Sequence, residues 1–246
     1  MFTNPRVGDR RVDQFETAQT YLGRERRMLA LRGPIIAAPG RWDQFSVTFI
    51  MDDIVAMNLA DPEKPIYLII DSPGGELDAG MMLYDLIKMS RAPIVTIGQD
   101  CASMATVILA AGHTRLSFPH ARLMLHLPSM VFQGDSKLFE IRQKEMERLK
   151  NEMVDAYVEC GVTARLDAEG KDPDGVTWPS VSQKIQNDID RELWLDAGRG
   201  IEYGLVDRVA TTEDLFGGIQ TQAKDGTIPT GDFIPDVYPV SHRPLA

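Results

Sequence analysis

Apolar residues along the centre of the chain come in short continuous runs separated by helical stripes. Residues 65–71 read Pro65-Ile66-Tyr67-Leu68-Ile69-Ile70-Asp71, a run that predicts a strand buried on both faces, as in a parallel sheet. Residues 93–98 repeat the pattern. Between them, Ser72-Pro73-Gly74-Gly75 reads as a turn and 77–89 as a helix. Ser103 opens a small-residue helix that stops at Gly112. Residues 115–118 and 121–127 are two further strand candidates, with Pro119 and His120 in a turn between them.

Upstream, Phe15, Ala18, Tyr21 and Leu22 give 14–27 helical spacing, and 27–31 begins a strand that Gly33-Pro34 ends. Phe45, Phe49, Ile50, Ile54 and Met57 form a helical stripe over 42–58. Downstream, a long amphipathic helix is predicted over 137–160, on a stripe of Leu138, Ile141, Met146, Leu149, Met153 and Tyr157. Residues 167–179 are polar and rich in Pro and Gly, which reads as a loop; 185–209 returns to order. Strands alternating with helices predict an α/β domain built from βαβ crossovers. The expected organisation is a flexible segment over 1–11, one catalytic-sized domain over 12–210, and an extended or disordered tail over 211–246, where prolines recur without periodicity.

Composition narrows the function classes. The formal net charge is −10, which opposes the basic stripe that nucleic-acid binding requires. Only two cysteines are present, Cys101 and Cys160, with no metal-ligand spacing, so neither a disulfide framework nor a metal site is expected. No apolar run approaches the ~20 residues that span a bilayer. The expectation is a cytoplasmic protein without a membrane contact.

Ser103 is the first candidate for chemistry. It sits where an apolar strand turns into a helix, and the free amides of that turn favour developing negative charge. A serine at a helix start is also a common structural cap, and Ala102-Ser103-Met104-Ala105 lacks the flanking glycines of a nucleophile elbow. A base is needed within reach. Of four histidines, His126 ends the apolar run Leu123-Met124-Leu125, at a strand end where sites collect; a satisfied core histidine would look the same. Gly74-Gly75 permits close backbone approach and offers amides, or is simply a tight turn. Cys101 reads as a small hydrophobe. Acidic residues that could orient a histidine cluster in Asp188-Ile189-Asp190-Arg191-Glu192, also readable as a solvated charged turn.

Several of these segments, in order, resemble the proteolytic subunit of the Clp protease. The matching runs are 66–75, Ala79-Gly80 with Tyr84-Asp85, Cys101-Ala102-Ser103-Met104 with Leu109-Ala110-Ala111-Gly112, Met124-Leu125-His126-Leu127-Pro128, and Glu202-Tyr203-Gly204-Leu205-Val206-Asp207. The resemblance implies a Clp/crotonase-type α/β fold of repeated ββα and βαβ units, with the long helix protruding as a handle. It implies a serine endopeptidase with Ser103 as nucleophile and His126 as base. The Gly75 and Met104 amides would form the oxyanion hole, and Gln133 and Gly134 would begin a segment that holds substrate as an added strand. It further implies a double heptameric ring, homomeric or mixed, with active sites inside. An AAA+ Clp ATPase, which alone would use ATP, would feed it unfolded polypeptide, docking near Tyr67, Ile69 and Phe118. No cofactor is implied for this chain.

Four departures stand out. Glu192 occupies the place of the family's triad aspartate, one methylene longer. Ser129-Met130-Val131 follows His126-Leu127-Pro128 where the family has a flexible Leu-Gly-Gly. Residues 167–179 read as an insertion, and the tail after Thr211 exceeds the usual end. The first two support an alternative: a catalytically weak or inactive ring subunit of a mixed complex. A crotonase-like acyl-CoA enzyme or a membrane-protein peptidase of related fold is a further reading, opposed by Ser103, His126 and the missing membrane anchor.

Overall fold

The computed structural model describes residues 27–36, 47–129 and 135–216. Strand β1 (Met28–Arg32) leads to helix α1 (Val47–Ala60), then β2 (Ile66–Ser72), α2 (Leu77–Met89), β3 (Ile94–Ala102), α3 (Met104–Ala110) and β4 (Thr114–Leu125). Helix α4 (Ser136–Glu159) follows, then α5 (Val181–Asp188), β5 (Leu193–Leu195), α6 (Ala197–Glu202) and β6 (Arg208–Val209). The first unit ends at Ala210; a second, beginning at Thr211, contains the short helix α7 (Thr212–Phe216) where the sequence predicts an extended tail. The predicted 14–27 helix, apart from Arg27, and the 1–11 segment lie outside the described residues.

Strands β1 to β4 run parallel in spatial order, β5 adds antiparallel to the second half of β4, and β6 pairs parallel with its first half. Three successive crossovers therefore bring the carboxyl ends of β2, β3 and β4 to one edge, where ligands of such sheets bind. Because β5 is reversed, its amino end joins them there.

Three expectations need correction. Strand β2 alternates: Ile66, Leu68 and Ile70 are sealed, whereas Tyr67 and Ile69 stay half-buried. Apolar residues on both faces do not guarantee two covered faces within one chain. Secondly, 115–118 and 121–127 are one strand. The register pairs Gly98 with Ser117 and Asp100 with Arg122, so residues 118–121 stand against Gln99 alone. Pro119 falls in that unmatched stretch, where its missing N–H costs no ladder bond. Thirdly, Phe49 lies off the buried stripe of α1, which is Val47, Ile50, Ile54 and Met57. Helix α4 buries only its C-terminal part, through Met153, Val154, Ala156 and Tyr157; Ile141 is exposed, so its first half projects from the core. Among the described residues no helix is long and apolar enough to cross a membrane.

Candidate active site

Ser103 follows the last residue of β3 with φ 57° and ψ −128°, a conformation that non-glycine residues rarely adopt. Neighbouring bonds hold it there. Its N–H donates to the Met124 carbonyl at 2.8 Å, and its own carbonyl accepts from the Thr106 amide at 2.9 Å and hydroxyl at 2.6 Å. Its hydroxyl makes no cap bond to α3. Instead, Ser103 Oγ lies 2.8 Å from His126 Nε2. The ladder produces that contact: Ala102 pairs with Met124 in register, and His126 is the first residue beyond the end of β4.

Thr106 links this turn to the long helix. Its only proton goes to the Ser103 carbonyl, so the buried Tyr157 hydroxyl, 2.8 Å away, must donate to Thr106 Oγ1. Burial pushes the Tyr157 phenol above its ordinary range. The helical stripe marked Tyr157 as core; its polar role was not legible, because nothing local connects it to Thr106. Tyr157→Phe keeps the ring and deletes one buried hydrogen bond. It should cost about 1 kcal/mol, read by urea unfolding; no loss would exclude the link.

The glycine turn lies against the serine. A Cβ on Gly74 would come within 2.5 Å of the Ala102 carbonyl and 2.7 Å of Ser103 Cβ, so only glycine fits there. Gly75 forms a parallel bridge with Ile35, through Ile35 N–H to the Gly74 carbonyl at 2.9 Å and Glu76 N–H to the Ile35 carbonyl at 2.8 Å. Those bonds use the groups flanking Gly75, so by strand alternation the Gly75 N–H faces away from Ile35. The Met104 N–H, in the first turn of α3, has no acceptor within its own helix. Ser72 fixes the turn from below: its buried hydroxyl donates to the Gly33 carbonyl at 2.6 Å and accepts from the Gly74 amide at 3.1 Å.

Other sequence candidates fall elsewhere. Cys101 is buried, its thiol donates to the Ile70 carbonyl at 3.3 Å, and burial pushes it above its usual range, so it is a core residue. His113 Nδ1 accepts the Ile94 amide at 3.1 Å. His120 is exposed within β4 rather than in a turn. Gln133, Gly134 and His242 lie outside the described residues. In the acidic run, Asp188 pairs with Lys184 and accepts from the Tyr203 hydroxyl at 3.2 Å, and Asp190 lies 3.4 Å from Arg191. Burial, then the Asp188 charge, pushes the Tyr203 phenol up. Glu192 accepts from Trp194 Nε1 at 3.0 Å, and among the described residues no hydrogen bond joins it to His126.

The insertion expected over 167–179 is folded by its own side chains. Asp167 and Asp172 each accept backbone amides, and the Trp178 indole donates to Asp172 at 2.9 Å, which with two further amides holds that carboxyl below the usual carboxylate range.

A model of the family described as Clp protease matches residues 24–169 and 177–213, skipping a stretch inside that insertion. Among the curated relatives, the "ATP-dependent Clp protease proteolytic subunit 1" of Protochlamydia amoebophila is 34% identical over 172 residues, covering 68% of this chain and 75% of the relative. The "ATP-dependent Clp protease proteolytic subunit 2" of Treponema denticola is 33% identical over 164 residues, covering 65% and 74%. The parallel α/β sheet, the serine–histidine contact at its edge and these matches lead to one conclusion: the chain belongs to the Clp protease family of serine-type peptidases.

Proposed function

We propose that this chain is the proteolytic subunit of an ATP-dependent Clp protease, with Ser103 as the acylating nucleophile. The observation that carries this is the 2.8 Å contact between Ser103 Oγ and His126 Nε2 at a backbone turn where the serine side chain makes no cap bond. His126 removes the Ser103 proton as Oγ adds to a peptide carbonyl. The oxyanion that forms accepts from the Gly75 and Met104 amides. The intermediate collapses as His126 returns the proton to the leaving amine, giving an acyl-enzyme; water, activated by the same imidazole, then releases the acid. For Nε2 to accept, Nδ1 must carry the ring proton, and Glu192 is the carboxylate proposed to orient it.

An extended substrate would add as a strand along the segment that begins at Gln133 and Gly134. The chain works inside a double heptameric ring in the cytoplasm, homomeric or mixed, and takes polypeptide from an AAA+ Clp ATPase that alone consumes ATP. Both relatives' names support the ATP-dependent partner. A second reading, a weakly catalytic ring subunit, is favoured by the Glu192 carboxylate resting on Trp194.

A fluorophosphonate probe separates the two. Assembled wild type should label to near one equivalent per chain, in particles of fourteen chains, and Ser103→Ala should not label. Unlabelled wild-type particles would support the weak-subunit reading instead.

A further inference from the structure

Strand β5 lies antiparallel to β4 with Met124 opposite Trp194 and Leu125 opposite Leu193. The paired ladder ends at Leu125 and Leu193; His126 and Glu192 are the next residues on each side of that last pair. Beyond it the Leu127 N–H donates to the Ile189 carbonyl at 2.9 Å, which departs from the β4–β5 register. The last pair of the ladder thus joins the two strands one residue before His126 and one residue after Glu192. Two groups flanking this end of the ladder can donate to the Glu192 carboxylate, the Trp194 indole and, through Nδ1, the His126 imidazole. In this structure it takes the indole, with Trp194 Nε1 at 3.0 Å.

The indole is held in turn. Its ring lies under the Arg122 guanidinium, 5.0 Å from ring centroid to Cζ, and Arg122 Nε lies 4.0 Å from Asp100 on β3. Asp100 and Arg122 are partners in the β3–β4 register, so this chain of contacts is anchored on two strands. At its far end, His126 gives Nε2 to Ser103 and has no hydrogen bond at Nδ1 among the described residues.

Resting on the catalytic reading of Ser103, His126 and Glu192, we propose that Trp194 is a positioning residue that latches Glu192. Its N–H competes with His126 Nδ1–H for one carboxylate. While the indole holds Glu192, the imidazole lacks the acceptor that fixes its tautomer; when the indole releases it, Glu192 completes the triad. A glutamate suits this arrangement because its additional methylene lets one anchor point serve both donors.

The test uses the full-length assembled protein and a fluorogenic peptide. Trp194→Phe keeps an aromatic ring beneath Arg122 and removes the N–H together with the second ring that carries it. It should raise kcat roughly three- to tenfold, the factor set by one released hydrogen bond, with KM unchanged. Glu192→Gln should lower kcat, and adding Trp194→Phe to it should change nothing, since the latch then has no charge to hold. A purely structural Trp194 would show the same effect in both backgrounds. Glu192→Asp, whose shorter carboxyl is drawn back from the indole, should also raise kcat and supplies a second route should Trp194→Phe not assemble. The latch is overturned if Trp194→Phe and Glu192→Asp leave kcat unchanged or reduce it, or if the Trp194→Phe gain persists in the Glu192→Gln background. Failure of the catalytic reading itself looks different: wild type would then not label at Ser103 with the fluorophosphonate probe.

Discussion

Ser103→Ala and Ser103→Gly should both abolish peptide hydrolysis, yet the glycine variant should be the more stable of the two. Removing a triad serine lowers kcat on the order of 10⁶-fold, because base and nucleophile act as one unit. The difference in stability comes from the backbone. Ser103 sits at φ 57° and ψ −128°, held by its amide on Met124 and its carbonyl under Thr106. Strain of this kind costs roughly 1–3 kcal/mol in a residue with a Cβ. Glycine escapes it and gives back about 0.5–1 kcal/mol in chain entropy. The net expectation is stabilisation of about 1 kcal/mol over the alanine variant, or a melting temperature higher by roughly 2–4 °C for a chain of this size. Alanine keeps the strain, and like glycine it gives up the hydroxyl's bond to His126, so it should melt at or slightly below wild type. If Ser103→Gly melts below Ser103→Ala, the turn is not a stored strain and its geometry has another cause.

That pair of variants also explains why the sequence spoke only partly. Helix α2 was legible, because a turn of Ser, Pro and two glycines precedes an unbroken amphipathic stripe. Strand β4 was not, because Pro119 signals a break and only the register shows that its N–H is not needed there. Ser103 and His126 were legible as strand-end candidates, but their contact is a property of the β3–β4 pairing, which no local pattern encodes. Glu192 was placed by resemblance, and its bond to Trp194 is set by side-chain choice rather than by register. Thr106 and Tyr157 lie far apart in sequence, one in a small-residue helix and the other in an apolar stripe. Period and composition report which face is buried; they carry no information about which buried hydroxyls meet.

Gly74→Ala should cost about 10²–10³ in kcat, the range found when an oxyanion donor is lost, with a smaller change in KM. The new methyl would lie 2.5 Å from the Ala102 carbonyl, 2.7 Å from Ser103 Cβ and 3.0 Å from the Met104 nitrogen. None of these can yield separately. Ala102 is fixed by its ladder with Met124, and Ser103 by its amide bond to the Met124 carbonyl. The glycine turn must therefore move instead, and it carries the Gly75 N–H away from the Met104 N–H with which it would share an oxyanion. Backbone strain at φ +86° adds a loss of stability, so activity should be compared at a temperature where both proteins are folded. Gly175→Ala supplies the control. It has a similar φ of +81° and nothing within 4 Å of its added Cβ, so it incurs strain without a collision. Gly175→Ala should lose stability and keep kcat; Gly74→Ala should lose both. A Gly74→Ala protein that turns over within about tenfold of wild type would remove the Gly75 and Met104 amides from the reaction, because the two donors cannot both stay in place around that methyl.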